Sequence, residues 1–267
     1  MELDEVCHSA AAADQGPLYF LREDPRTGFE LGMAQNGKSH ILQVFNPEFR
    51  DDTMGRPRRL EYGKLKAAML LPPDYQPGHR YPTVFLVYGG EMGSRRINRF
   101  GLGDSGCDNM HLLASRGYIV VAPDIPIDKD PVADIVAAVE PALDAVIHQG
   151  YADPERMAVM GHSYGGYTVL ALITHGHRFK AAIDRAGSAN LVNEYLSFDN
   201  GQSSFLAYTE TGQGNMHCTL WENPGRYVEN SPVFALDKVT TPLLIVHGDQ
   251  DNRAWVEESG QVFVGLR

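Results

Sequence analysis

The stretch that decides the fold runs from Met157 to Ile173 and reads MAVMGHSYGGYTVLALI. Ser163 stands between glycines where an apolar run typical of a strand, MAVM, passes into a run typical of a helix, YTVLALI. Residues 161–165, GHSYG, fit the G-x-S-x-G pattern, which requires a strand before it and a helix after it. Glycines flank the serine in such a turn because a Cβ would collide with the neighbouring strand and helix. The stretch therefore predicts a nucleophile elbow, with Ser163 on a strained turn above a sheet.

Tyr164 opens the predicted helix directly after the serine. The positive N-terminal end of a helix points at this position, so the backbone N–H of Tyr164 is a candidate oxyanion donor for a tetrahedral intermediate. The alternative is a glycine-rich packing turn in which the serine is incidental. A five-residue pattern is a weak signal by itself, and the strand-turn-helix context is what favours the elbow.

Downstream of Gly63 the chain repeats one unit, in which a short apolar run is followed by a loop and a segment of helical period. This repeat predicts an α/β fold with a mainly parallel central sheet flanked by helices. A helix is predicted over Ala133–Gln149, with a kink or a late start caused by Pro141. The segment from Leu191 to Tyr227 lacks a clear period, and we expect it to form a cap or loop excursion. The predicted strands are Leu65–Leu71, Thr83–Tyr88, Tyr118–Ala122, Met157–Met160, Ala181–Asp184 and Leu243–His247.

The first sixty residues differ from the rest of the chain. Three short strand-like runs, LYFLRED (18–24), FELGMAQ (29–35) and HILQVF (40–45), are separated by turn residues. We therefore expect residues 1–60 to form a small β-rich segment and residues 61–267 to form the α/β domain.

A serine is a weak nucleophile at its free pKa, so it needs a base and an acid that orients the base. The run PLLIVHGDQDNRA (242–254) supplies the acid after an apolar strand. Asp251 is the predicted acid, and Asp249 is the second choice. The base should be a histidine beyond Asp251, but residues 252–267 contain none.

The histidines elsewhere in the chain are poor candidates for the base. His247 is expected to pack or bond locally in its His-Gly turn, and the side chain of His162 should point away from that of Ser163. His217, in the irregular excursion, is the one that could swing over the site. The remaining candidates lie on other helices or at the far end of the helix after the elbow: His111, His148, His175 and His177.

Composition excludes several classes of protein. The net charge of −11 argues against sequence-independent nucleic-acid binding, which needs lysine and arginine to neutralise phosphates. No stretch approaches about eighteen uninterrupted apolar residues, and acids stand where a signal peptide would carry a basic head, so nothing visibly targets or spans a membrane. Cys7, Cys107 and Cys218 have no C-x-x-C spacing, which favours a reducing cytoplasm over a disulfide framework.

Two ligand-binding alternatives are weak. GLGDSG (101–106) fits the dinucleotide-binding pattern G-x-G-x-x-G, but it does not directly follow a strand, as that fingerprint requires. The pairs His175 with His177, and His217 with Cys218, lack a further metal ligand at a supporting spacing. No cofactor and no metal is therefore predicted.

Three stretches together resemble one known family. They are LLPPDYQPGHRYPTVFLVYGG (70–90), GHSYGGY (161–167) and NPGRYVENSPVFALDKVTTPLLIVHGDQD (223–251). In this order they look like the catalytic domain of the prolyl oligopeptidase family of serine peptidases, including its acylaminoacyl-peptidase and dipeptidyl-peptidase branches. The resemblance covers about residue 61 to the C-terminus.

The resemblance implies an α/β-hydrolase fold, Ser163 as nucleophile and Asp251 as acid. It also implies that the hydroxyl of Tyr88, in the VYGG loop, joins the N–H of Tyr164 in the oxyanion hole. Family members carry a β-propeller before the hydrolase domain, and residues 17–46 look like the end of a last blade. Family members also continue to a loop that bears the catalytic histidine, so this chain is expected to be an internal portion of a longer protein.

The predicted function is that of a serine hydrolase that cleaves peptide bonds of short peptides through an acyl-enzyme on Ser163. A carboxylesterase of the same fold is the nearest alternative, because esters and amides use the same elbow and oxyanion hole. A non-catalytic hydrolase-like module is the second alternative, since no histidine follows Asp251. Exposed strand edges at the end of the chain would favour self-association into a homo-oligomer.

Overall fold

The computed structural model of the chain describes residues 6–12, 16–25, 27–49, 54–100, 109–199, 203–251 and 253–267. The GLGDSG run at 101–106 lies outside these residues, so the structure does not bear on the dinucleotide alternative.

A small antiparallel sheet comes first in the chain. Its four strands are consecutive and pair in chain order, β1 (Val6–Ala12), β2 (Leu18–Asp24), β3 (Gly28–Gln35) and β4 (Lys38–Val44). The last three strands lie at the three strand-like runs of the sequence, and β1 was not predicted. The sheet is tied to the rest of the chain by Glu23, whose carboxylate accepts a hydrogen bond from the backbone N–H of Phe100 at 2.6 Å.

The second sheet has seven strands and is mainly parallel. The strands that follow β4 are β5 (Arg56–Tyr62), β6 (Leu65–Leu71), β7 (Tyr81–Leu86), β8 (Ile119–Pro123), β9 (Ala152–His162), β10 (Ala181–Arg185), the short pair β11 (Phe198–Asp199) and β12 (Ser203–Ser204), and β13 (Leu243–Val246). The order of strands in the large sheet is β13-β10-β9-β7-β8-β6-β5, with parallel pairing from β13 through β8 and antiparallel pairing of β8 with β6 and of β6 with β5. This is the predicted α/β architecture.

All six predicted strands of the domain exist, and the structure adds β5. Its sequence, RPRRLEY, is rich in arginine, and only Leu60 and Tyr62 are buried, as suits a strand at the edge of a sheet. Because β5 pairs with β6, the large sheet begins before residue 61, where the sequence places the domain boundary. The division of the chain into two domains at that point stays a prediction.

Helices cover both faces of the large sheet, and strand side chains alternate between two buried clusters. Phe85 and Val121 join the larger cluster, under the second and third helices, whereas Val84 and Val120 join the smaller one, under the first helix. Burial on both faces is typical of a parallel sheet. The helices are α1 (Met110–Ala114), α2 (Pro131–His148), α3 (Tyr164–His175), α4 (Leu191–Tyr195), α5 (Leu206–Glu210), α6 (Pro224–Glu229) and α7 (Val256–Gly265), with 3-10 turns at Pro47–Phe49, Gly93–Asn98 and Pro232–Lys238.

Helix α2 begins earlier than predicted. The side chain of Asp130 caps it by accepting a hydrogen bond from the N–H of Ala133 at 3.1 Å, and Pro131 occupies the first turn, where proline is favourable. The helix then continues through Pro141 as one element. The expected late start is therefore wrong, because the capping residues, not Pro141, set where the helix begins.

The excursion between β10 and β13 contains short helices and the β11–β12 pair, as the weak period suggested. Arg226 anchors it: its guanidinium donates to the carbonyl oxygens of Met216 at 2.7 Å and Asn215 at 3.2 Å and lies 3.4 Å from the carboxylate of Asp130. These bonds hold the excursion against the loop before α2. The excursion thereby brings its polar residues over the C-terminal ends of the central strands.

Candidate active site

Ser163 occupies a tight turn between β9 and α3. Its backbone has φ 57° and ψ −122°, a conformation that side-chain-bearing residues rarely adopt. The N–H of Ser163 donates to the carbonyl of Arg185 on β10 at 2.8 Å, and its own carbonyl accepts from the N–H of Gly166 at 2.8 Å and of Tyr167 at 3.1 Å. Bonds from the neighbouring strand and from the following helix thus fix the turn. The hydroxyl makes no capping bond to the helix, which leaves it open to the cavity above.

The glycines around Ser163 allow this close approach of strand and helix. A Cβ on Gly161 would overlap the carbonyl group of Gly165, and a Cβ on Gly165 would lie 2.5 Å from the carbonyl oxygen of Val87. A Cβ on Gly166 would collide with the side chain of Asp184. The glycines are therefore required by packing, as the elbow pattern predicts.

The four residues predicted for the site share one cavity of about 420 Å³. Ser163, Tyr164, Tyr88 and Asp251 all line it. The elbow, the loop after β7 and the loop after β13 meet there because the C-terminal ends of parallel strands lie at the same edge of a sheet. The other residues that line the cavity are His162, Ala186, Ser188, Glu194, Phe205, Tyr208, Gln213, Arg253 and Ala254.

Tyr164 and Tyr88 each have a hydrogen-bond donor without an acceptor among the described residues. Tyr164 is the first residue of α3, so its N–H has no acceptor within the helix. The hydroxyl of Tyr88 accepts a hydrogen bond from the side-chain amide of Gln213 at 3.1 Å, which leaves the phenolic proton free to be donated. The N–H of Gly89 is already used, since it donates to the hydroxyl of Thr168 at 2.9 Å. Tyr164 and Tyr88 therefore remain the candidates for an oxyanion hole, and that role stays a prediction.

Asp251 is held by its own loop. Its Oδ1 accepts hydrogen bonds from the backbone N–H groups of Arg253 at 3.0 Å and Ala254 at 3.1 Å, which leaves Oδ2 for another partner. Asp249 is exposed and does not line the cavity. The geometry therefore favours Asp251 over Asp249 as the acid.

His247 lies close to Asp251 but is fully engaged. Its Nε2 lies 3.8 Å from Oδ2 of Asp251. The same nitrogen bonds to the carbonyl of Ala254 at 2.7 Å, and Nδ1 bonds to the hydroxyl of Ser259 at 2.6 Å. Both ring nitrogens of this buried imidazole are used locally, as the sequence suggested. His247 therefore has no free nitrogen with which to accept a proton from Ser163.

The other histidines do not complete a triad in the described part of the chain. His162 lines the cavity, and the predicted direction of its side chain, away from that of Ser163, stays a prediction. His217 is exposed and does not line the cavity, so the structure does not bring it to Ser163. His175 bonds to the carbonyl of Ala171 within its own helix, at 3.0 Å.

Three buried carboxyl groups lie at or beside the site. Burial, together with the charge of nearby Glu258, raises the pKa of Glu194 to about 8, against a smaller opposing effect of a hydrogen bond from Ser188. Burial also raises the pKa of Glu258. The pKa of Asp184, which packs under the elbow, is raised to about 6 by burial. The site thus holds acids that prefer the protonated form more than exposed acids do.

Several residues of the cavity were not predicted. Glu194, Tyr208 and Gln213 come from the excursion, where the sequence has no period that would place a side chain on one face. The local signal for Glu194 is the single acid of the short helix LVNEY, in which Asn193 is also polar. Sequence patterning cannot distinguish that position from an exposed one.

In the part of the chain that the structure describes, no group of three or more histidine, cysteine, aspartate and glutamate side chains is placed to hold a metal ion. No helix in the described part of the chain has the length and apolar character needed to cross a membrane.

Comparison with known proteins yields relatives of one kind. The chain is 32% identical over 219 residues to a probable chloroplastic glutamyl endopeptidase of Arabidopsis thaliana, covering 74% of this chain and 21% of that protein. It is 28% identical over 218 residues to dipeptidyl-peptidase 5 of Porphyromonas gingivalis, covering 75% of this chain and 30% of that protein. The chain therefore spans less than a third of the length of these two relatives.

Solved structures show the same fold. The acylaminoacyl peptidase of Pyrococcus horikoshii aligns with a TM-score of 0.77 at 22% identity, covering 100% of this chain and 43% of that one. Dipeptidyl peptidase 4 of Porphyromonas gingivalis aligns with a TM-score of 0.75 at 20% identity, covering 97% of this chain and 38% of that one. The model of the prolyl oligopeptidase family matches residues 127–267, which is more than half of the chain. The chain therefore belongs to the prolyl oligopeptidase family, and its large sheet with the flanking helices has the α/β-hydrolase fold.

Proposed function

We propose that this chain carries the acyl-transfer site of a serine peptidase that cleaves peptide bonds of short peptides through an acyl-enzyme on Ser163. The observation that carries the proposal is the strained serine turn, which opens into a cavity also lined by Tyr88, Tyr164 and Asp251. A serine presented on a strained turn, beside hydrogen-bond donors for an oxyanion and a carboxylate that can orient a base, is the arrangement that acyl-transfer enzymes use.

In the proposed reaction, Oγ of Ser163 attacks the carbonyl carbon of the scissile bond. The new C–O bond forms as the π electrons of the carbonyl move onto its oxygen, and the N–H of Tyr164 and the hydroxyl of Tyr88 stabilise that charge. The C–N bond then breaks, and the leaving amine takes the proton that the serine hydroxyl lost. Water repeats the sequence on the acyl-enzyme and releases the acid.

The proton of Ser163 needs an acceptor, which the described contacts do not supply. Asp251 has the free Oδ2 that would orient an imidazole, and both nitrogens of His247 are engaged elsewhere. The proposal therefore requires an imidazole to reach the space between Ser163 and Asp251. It comes either from a rearranged His217 or from a histidine outside residues 1–267.

We propose peptides and not esters as the substrates, because the family and the relatives of this chain are peptidases. The relatives are described as an endopeptidase and dipeptidyl-peptidases, and one of the similar structures is an acylaminoacyl peptidase in complex with a peptidyl chloromethyl ketone. The elbow itself serves either substrate. We extend the proposal to a cytoplasmic location, because the three cysteines lack the spacing of a disulfide framework. Self-association into a homo-oligomer stays a prediction.

A second candidate function is binding without catalysis, and the engaged nitrogens of His247 favour it. The two candidates separate in a direct assay with N-acetyl-aminoacyl 4-nitroanilides and 4-nitrophenyl esters, with Ser163→Ala as the control. A peptidase cleaves the anilides, and the serine variant does not. Cleavage of esters alone would point to a carboxylesterase, and cleavage of neither would favour the binding module.

A further inference from the structure

The cavity beside Ser163 contains an acid for which the acyl-transfer chemistry has no use. Glu194, at the end of α4, lines the same cavity as Ser163. Its Oε2 is buried and has no hydrogen-bond partner among the described residues. An unpaired buried carboxyl oxygen costs free energy, so its retention in a cavity wall suggests a partner that arrives with a ligand.

Aromatic residues stand among the neighbours of Glu194 in the cavity. Tyr164, Phe205 and Tyr208 line the cavity with it, and Ser188 is the hydroxyl neighbour of its carboxyl group. Aromatic faces pack against the methylene groups of a long side chain and attract a cation at its end. The carboxyl can turn either oxygen toward the cavity by rotation about the Cγ–Cδ bond, because this torsion is broad.

We propose that Glu194 is a specificity-determining residue, which binds the cationic head of a lysine or arginine side chain on the residue whose carbonyl Ser163 attacks. This inference rests on the proposed acyl-transfer site for its location. That substrate residue is bonded through its Cα to the reacting carbon, so its side chain enters the cavity next to Ser163. A cation there gives the buried carboxylate the charge-assisted partner that it lacks.

The titration of Glu194 supports this role and supplies a readout. The charged group that acts on its carboxyl is Glu258 on α7. The hydroxyls of Tyr164, Tyr167 and Tyr208 lie near it and stay neutral around pH 7 because burial raises their pKa. With a pKa of about 8, Glu194 holds a proton at pH 7 in the free protein. A bound cation favours the ionised form, so binding at pH 7 should release nearly one proton.

The test measures binding without requiring catalysis. Calorimetry on the Ser163→Ala chain at pH 7 compares N-acetyl-lysine 4-nitroanilide with N-acetyl-norleucine 4-nitroanilide, which has nearly the same methylene stem and no charge. We expect the lysine probe to bind at least about tenfold more tightly, as a charge-assisted hydrogen bond allows. Repeating the titration in buffers of different ionisation enthalpy should show proton release with the lysine probe alone.

The double variant Ser163→Ala, Glu194→Gln keeps the shape of the side chain and removes its charge. It should lose both the lysine preference and the proton release while its affinity for the norleucine probe stays within about twofold. Glu229→Gln in the same background, an exposed acid that does not line the cavity, is the matched control and should behave like the parent.

Three results would overturn the inference. The first is equal affinity of the parent for the lysine and norleucine probes, and the second is a lysine preference that survives Glu194→Gln. The third is binding of N-acetyl-glutamate 4-nitroanilide more tightly than the lysine probe, which would assign recognition of the substrate side chain to Arg253 instead. The binding assay uses the Ser163→Ala variant, so its result can be interpreted even if the parent chain does not catalyse acyl transfer. A preference for lysine in a chain that cleaves nothing would reject the proposed function and keep the role of Glu194.

Discussion

Removal of the Glu258 side chain should lower the free energy of unfolding, because this side chain holds the wall of the cavity in place. Glu258 lies on α7 and is only 3% exposed. Its Oε2 accepts hydrogen bonds from the backbone N–H groups of Ala189 at 3.0 Å and Asn190 at 2.8 Å, and its Oε1 accepts from the amide of Asn193 at 2.5 Å. These bonds join the last helix to the segment that begins α4 and carries Glu194.

The expected loss in the free energy of unfolding follows from the hydrogen bonds that the substitution removes. Glu258→Ala leaves up to three donors unsatisfied in a buried site, each at a cost of about 1–3 kcal/mol. The loss is partly offset because burial of the Glu258 charge and its repulsion of Glu194 disappear. We expect a net loss of about 3 kcal/mol in the free energy of unfolding, and a Tm lower by about 6–12 °C for a chain of this size.

Glu258→Gln is the matched variant. One carbonyl oxygen of glutamine can still accept from both Ala189 and Asn190, and the amide of Asn193 can turn its oxygen toward the new NH2 group. Its free energy of unfolding should stay within about 1 kcal/mol of the parent value. Equilibrium unfolding in urea, followed by circular dichroism, measures both variants. The reasoning is refuted if the alanine variant is as stable as the parent, or if the glutamine variant loses as much as the alanine variant.

Three further predictions concern the elbow and its surroundings. Gly161→Ala should lower the free energy of unfolding by about 1–3 kcal/mol and displace Ser163, because the new methyl overlaps the carbonyl of Gly165; urea unfolding with wild-type stability would contradict this. Tyr88→Phe should lower kcat about 100-fold with little change in KM, because it removes one oxyanion donor; an unchanged kcat would exclude the hydroxyl from the oxyanion hole. The raised pKa of Asp184, about 6, means that this group contributes stability that is lost as the pH rises from 4 to 6. Asp184→Asn should therefore gain about 2–3 kcal/mol relative to the parent between pH 4 and pH 7, measured by urea unfolding at each pH; a constant difference across that range would show that Asp184 does not titrate as stated.

The α/β architecture could be predicted because its strands are short apolar runs with helical segments between them. The six strands from β6 onward in the large sheet follow directly from that pattern, since buried parallel strands are nearly continuous in apolar residues. Strand β5 could not be predicted, because the RPRRLEY run carries charges on its exposed face. The start of α2 depended on a cap at Asp130, a local signal that the apolar period alone does not include.

Some residues of the candidate site could be predicted from the sequence and others could not. Ser163, Tyr164 and Asp251 stand at strand ends in recognisable turns, so their meeting follows from the topology of a parallel sheet. Glu194 and Gln213 reach the cavity through a segment without regular period, held by long-range bonds such as those of Arg226. Contacts between residues so far apart in the chain leave no local trace in the sequence.

The measurement that tests the central claim most directly is labelling of this chain with a fluorophosphonate, detected by intact mass, with Ser163→Ala as the control. We expect one adduct on the parent chain, located at Ser163, and none on the variant. Such a result would show an activated serine in the strained turn, with a base that reaches it. A folded parent chain that takes up no label would contradict the claim that this turn presents a working nucleophile.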